Sequence, residues 1–188
     1  MVREPGTQFQ YDSGAVILMS ELIRRRYDVH ADAFAKKHLF APLGIDRVRW
    51  YRNADGHPHT GGGLSLRSRD MAKLGLLYLR EGRWDNRQVV PAEWVRASLK
   101  RHVEFERRSS GAVGYGYWWW VYPPDPAGDG MDIYAACGFL GQYIFLVPEH
   151  DMVVVVTAGG RGYAEERAPQ DFLYSHILPA AHPREAAD

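Results

Sequence analysis

The feature that most constrains the fold is a change of texture at Gly111. Before it, apolar residues recur at three- and four-residue spacing between charged ones; after it, glycine, aromatic and β-branched residues dominate. The first pattern is that of amphipathic helices and the second that of strands. The strand-like runs are joined by only a few residues, too few for a helical crossover, so an antiparallel meander is expected. The chain therefore reads as α+β, with residues 1–110 mainly helical and 111–178 forming sheet strands and a closing helix.

A helix is predicted over Ser13–Arg26, its apolar positions Val16, Leu18, Met19, Leu22 and Ile23, with three arginines in the last turn where cations complement the helix dipole. A second runs from Ala31 to Phe40, stopped by Pro42, with Leu43-Gly44 turning into an extended piece at Val48–Tyr51. Asn53–Gly63 is a loop. Ser68 is placed to N-cap a long helix ended by Gly82, and Pro91 opens another over Ala92–Arg101. Strands are predicted at Tyr115–Tyr122, Asp132–Ala136, Gln142–Val147 and Met152–Ala158, with Pro148–Asp151 as a hairpin turn and a last helix at Gln170–Ile177.

Composition enters mainly by exclusion. Among 188 residues, 23 Lys+Arg balance 23 Asp+Glu, so no basic field points to nucleic acid or an anionic membrane. Cys137 is the single cysteine, which excludes an internal disulfide and a cysteine-based zinc site. The first residues lack a basic stretch leading into an apolar run, so no signal peptide is read there. Apolar stretches such as Met152–Val156 are far short of the ~20 residues that span a bilayer. A soluble globular chain with no cofactor and no metal is expected.

Several suggestive groups have ordinary explanations. His57-Pro58-His59 has no neighbouring ligand set, and Gly61-Gly62-Gly63 lacks the preceding strand and following lysine of a phosphate loop, so a tight turn is expected. Trp118, Trp119 and Trp120 suggest sugar stacking, but on a strand the outer two would face one side and the middle one the other, as core packing requires.

Order carries more than any single motif. Tyr11-Asp12-Ser13 follows P-G-T-x-F and opens a helix; F-A-P-L-G-I (Phe40–Ile45), G-G-G-L-S (Gly61–Ser65), R-D-M-A-K-L-G (Arg69–Gly75), G-Y-G-Y-W-W (Gly114–Trp119) and G-F-L-G-Q-Y-I-F-L-V-P (Gly138–Pro148) come after it. In this order, from Pro5 to about Thr157, they resemble the serine β-lactamase-like hydrolases: class C β-lactamases, penicillin-binding peptidases, esterases and 6-aminohexanoate-dimer hydrolase-like members. The resemblance implies a β-lactamase/transpeptidase-like fold, an antiparallel sheet flanked by helices beside a helical region. It also implies acyl transfer through a serine ester, in which a Ser-x-x-Lys nucleophile, a tyrosine motif and a strand wall converge, since a serine hydroxyl needs a positioned base.

By that resemblance Tyr11 is the tyrosine of the second motif and Ser13 its last polar position. Read without it, they are an aromatic at a helix entrance and an N-cap. The third motif falls at Ala136-Cys137-Gly138: Gly138 would leave room for substrate along the strand, and the Phe139 N–H would serve an oxyanion hole. Ala136 replaces the family's usual Lys or His, which removes a carboxylate anchor and favours a small ester or amide substrate over a penicillin. Cys137 reads as a small filler rather than a nucleophile.

The four lysines, Lys36, Lys37, Lys73 and Lys100, have Ala33, Phe34, Asp70 and Ala97 three residues before them, so no Ser-x-x-Lys exists in the chain. In the resembled family that motif precedes the tyrosine motif. The expectation is a C-terminal portion of a hydrolase domain whose N-terminal part is missing, inactive by itself. Val153–Val156 would then form an open edge available for pairing with the missing segment or for self-association.

Overall fold

The computed structural model describes residues 4, 6–104, 106, 110–159 and 168–182, in two compact units, 1–67 and 68–188. Among the described residues, no helix is long and apolar enough to cross a membrane.

In the first unit, helix α1 spans Ser13–Tyr27 and α2 spans Ala31–Ala35, continuing into one π-helical turn at Lys36–Phe40. The predicted Ala31–Phe40 helix is thus continuous but widens, and Gly44 (φ 61°) follows its end. Strands β1 (Arg49–Trp50) and β2 (Leu64–Ser65) pair antiparallel across the predicted loop. Ala31, Phe40, Leu43, Ile45 and Pro58 form the buried centre. Leu18 and Leu22, expected in the apolar stripe of α1, stand 63% and 55% exposed, while Ser20 is buried. The helix has turned the predicted stripe partly outward.

The second unit begins with α3 (Ser68–Leu79), followed by a small hairpin of β3 (Arg83–Trp84) and β4 (Arg87–Gln88), then α4 (Ala92–Leu99). A six-stranded antiparallel sheet follows, ordered β10-β9-β8-β7-β6-β5. Its strands are β5 (Val103–Glu104), β6 (Gly114–Tyr115), β7 (Trp120–Tyr122), β8 (Ile133–Gly138), β9 (Gln142–Val147) and β10 (Met152–Val156). Helix α5 (Ala168–Phe172), a π-helical turn (Leu173–Ile177) and α6 (Leu178–Ala181) close the described chain.

The predicted single strand Tyr115–Tyr122 is in fact two strands and a turn. Gly116 N–H donates to the Trp119 carbonyl at 2.8 Å, Trp118 takes a left-handed conformation (φ 62°), and Tyr117 N–H is drawn to the Ser98 carbonyl at 2.9 Å. Strand alternation therefore does not govern the three tryptophans. Trp118 is 49% exposed on the turn, Trp119 is 7% exposed in the core, and Trp120 is half-buried.

Both faces of the sheet are covered. On one, Tyr122, Ile133, Ala135, Tyr143, Phe145 and Val147 pack with Leu173 and Leu178 of the closing helices. On the other, Trp119, Ile144 and Leu146 pack with Met71, Leu74 and Tyr78 of α3 and with Leu99 of α4. This is why β9 reads as a nearly unbroken apolar run rather than an alternating one. Gly75 lets α3 lie against the sheet: a Cβ there would come within 2.5 Å of Val153 Cγ1 and 2.9 Å of Ile144 Cγ2.

Candidate active site and polar clusters

Tyr11, Asp12 and Ser13 stand at the entrance of α1. Asp12 is the N-cap, its Oδ1 accepting from Gly14 N–H at 2.7 Å, so Ser13 is the first helical residue and the capping role falls one position earlier than the sequence suggested. Tyr11 is 51% exposed and Ser13 is exposed. The glycine run closes on this helix start. Thr60 Oγ1 donates to the Val16 carbonyl at 2.7 Å, and a Cβ on Gly61 would lie 2.8 Å from the Ser13 carbonyl oxygen. Gly62 N–H reaches the His59 carbonyl at 3.0 Å, and Gly63 has φ 69°, the geometry of a tight turn.

Ala136, Cys137 and Gly138 end β8, and Phe139 starts the turn to β9, 76% exposed, followed by Leu140 (φ 63°) and Gly141 (φ 84°). Successive side chains take opposite faces: Ala136 packs toward Trp119, Ile144 and Leu146, and Cys137 toward the Tyr143 and Phe145 side. Cys137 is half-buried. Burial pushes it up to about 12 against the opposing pull of the Tyr122 and Tyr143 hydroxyls, so at neutral pH it is a protonated filler. Gly138 has a local reason to be glycine, since a Cβ would lie 3.0 Å from Gln142 Cβ across the hairpin. Tyr11 and Ser13 belong to the first unit and the strand residues to the second.

The structure also assembles groups that sequence reasoning passed over. Gln170 is buried, and its amide donates to the Tyr122 and Tyr143 hydroxyls at 2.8 Å each, tying α5 to the sheet. Burial drives the Tyr122 phenol upward. Arg101 forks onto both Asp132 oxygens, its Nε 2.8 Å from Oδ2. Within the R-D-M-A-K-L-G segment, Lys73 Nζ lies 3.0 Å from the buried Asp70 Oδ1, an i,i+3 pair on α3.

Asp125, His150 and His182 meet although 57 residues separate the first from the last. Asp125 Oδ2 faces His150 Nε2 at 3.1 Å and His182 Nε2 at 2.8 Å, while its Oδ1 accepts from Ala127 N–H at 3.1 Å. Burial opposes the charge on Asp125, but the Ala127 N–H and the two imidazoles outweigh it and hold the carboxyl below its usual range. No spacing signal in the sequence joins these residues. The one available hint was a histidine in the tight turn after β9.

The sheet layered between helices, carrying these motifs in order, defines a β-lactamase/transpeptidase-like fold. The Beta-lactamase family profile matches residues 1–177, and the chain belongs to that family. It is 25% identical over 155 residues to a 6-aminohexanoate-dimer hydrolase of Paenarthrobacter ureafaciens, an alignment covering 79% of this chain and 38% of that protein. Among solved structures, a protein of Bacillus anthracis assigned as a 6-aminohexanoate-dimer hydrolase superposes with TM-score 0.76 and 20% identity, covering 95% of this chain and 45% of that one. An octameric penicillin-binding protein homologue from Pyrococcus abyssi gives 0.74 and 21%, covering 95% and 44%. The chain thus spans less than half the length of these relatives.

Proposed function

We propose that this chain supplies the tyrosine-bearing helix entrance and the strand wall of a serine-hydrolase acyl-transfer site, acting on a small ester or amide, and that the Ser-x-x-Lys nucleophile comes from a segment outside it. What carries the reading is the ordered motif set, Tyr11-Asp12-Ser13 through Gly138-Phe139, in a Beta-lactamase family chain with no serine three residues before any lysine. Tyr11 is the proton-transfer partner, Ser13 the polar end of its motif, and the β8 edge at Ala136–Phe139 the wall along which substrate lies, with the Phe139 N–H as an oxyanion donor. Ala136 offers no cation to a substrate carboxylate, which favours simple esters and amides over penicillins.

The test is hydrolysis of p-nitrophenyl acetate by the 188-residue chain. No turnover above buffer is expected. Turnover that survives Tyr11→Phe but disappears on changing another residue of the chain overturns this placement of the site.

A second reading, a non-catalytic binding or complementation module, is favoured by the place of β10 at one end of the sheet order, hydrogen-bonded to β9. The coding DNA upstream of Met1 separates the two. An in-frame Ser-x-x-Lys there supports the hydrolase reading, and its absence supports the binding module.

A further inference from the structure

The cluster at Asp125, His150 and His182 lies in the second unit, and the acyl-transfer reading makes no use of it. It draws one residue from each of three segments: the connection between β7 and β8, the tight turn between β9 and β10, and the end of α6. The three candidate donor atoms, Asp125 Oδ2 and the two Nε2 atoms, all lie within 4.8 Å of one another. We propose that these residues form a binding site for a divalent transition metal, with Zn²⁺ the best fit, which fastens the closing helix to the sheet connections.

Four observations carry this. The donor set of two imidazoles and one carboxylate suits zinc and its first-row neighbours, and is wrong for calcium or magnesium, which take oxygen ligands. The carboxylate is already aimed: Ala127 N–H engages Oδ1, leaving Oδ2 turned to the histidines, the kind of supporting contact that orients metal ligands. The spacing from the carboxylate to each imidazole needs little adjustment, because ligands about 2.0–2.1 Å from a tetrahedral zinc lie ~3.3 Å apart, against the present 3.1 and 2.8 Å, and the two Nε2 atoms, within 4.8 Å of each other, close on the ion as it binds. Finally, Asp125 is almost wholly enclosed, while the side chains of His150 and His182 keep 15% and 27% of their surface, so an ion has a way in and water can complete its coordination.

Without metal, the imidazoles donate Nε2–H to Oδ2. To bind, each neutral ring shifts its proton to Nδ1 and presents the Nε2 lone pair, so coordination replaces both hydrogen bonds with no redox change and no co-reactant. Because the three ligands come from separate segments, the bound ion stabilises the folded chain over the unfolded one.

The experiment is titration of the chelator-treated 188-residue protein with Zn²⁺ by calorimetry, with thermal unfolding recorded alongside. One equivalent should bind, Tm should rise with Zn²⁺ and not with Ca²⁺, and His182→Gln and His150→Gln should each weaken binding at least about tenfold. Co²⁺ supplies a readout on the unaltered chain: visible d–d bands should appear on binding and be absent in His182→Gln, whose fold is checked by circular dichroism. Failure of Zn²⁺ to bind in a saturable way overturns the proposal, leaving the cluster a hydrogen-bonded clasp. So does binding that is unchanged in His182→Gln but lost in a His57→Ala/His59→Ala variant.

Discussion

At the scale of single residues, identical chemistry takes its role from where it is buried. Cys137 is the sole thiol, half-buried beside the Tyr122 hydroxyl, and burial raises it to about 12, so it is almost entirely protonated at pH 8. Iodoacetamide labelling at pH 8 should therefore run on the order of a thousandfold slower in the folded chain than in guanidinium, where the thiol returns to roughly 8.5. Mass spectrometry of timed samples checks this, and equal rates would show that the thiol is open. The linkage has a definite sign. A group whose folded value is raised contributes stability that is whole below about 8.5 and is lost as pH climbs toward 12. Asp12 makes a related point: aspartate and serine are both good caps, and geometry at the helix start chose the aspartate.

At the scale of elements, the short connections hold the larger pieces in register. Gly82 follows α3 with φ 80°, its carbonyl accepts from Val89 and Val90 N–H at 2.9 and 3.1 Å, and a Cβ there would run into the Val90 backbone. Gly82→Ala combines a left-handed alanine with a backbone clash, and should cost about 2 kcal/mol or more, read as a lower urea midpoint with unchanged slope. A neutral result would mean that the β3–β4 hairpin is free to move away. The glycine was legible in the sequence as a helix stop, but the hairpin it closes was not: two-residue strands carry too little periodicity to register. The same limit hid the break after Tyr115. A run rich in aromatic residues looks like one strand, and the Gly116–Trp119 hydrogen bond, the left-handed Trp118 and the Ser98 carbonyl drawing Tyr117 N–H fold it into a hairpin.

At the scale of the whole molecule, the sheet ends on one side at β10 among the described residues, and Met152–Val156 is a run of one methionine and four valines. Strands of that composition with unpaired backbone on one side recruit further strands. Light scattering behind size exclusion should show the mass rising above that of a monomer as concentration climbs through the μM to mM range. A stable monomer throughout would count against pairing at this edge.

The sequence by itself determined the α+β class, the antiparallel meander, strands near 132–136, 142–147 and 152–158, and the resemblance to serine β-lactamase-like hydrolases, because each rests on local periodicity or on motif order along the chain. It also placed Tyr11 at a helix entrance and Ala136–Phe139 at a strand end. Only the tertiary structure decided which face each side chain takes, that Gly138 answers to Gln142, and that Trp118 leaves the core while Trp119 enters it. It alone brought Asp125, His150 and His182 together. The physical reason is common to all of these: hydrogen bonding and steric exclusion between segments act through space, and their strength depends on distances that separation along the chain does not record.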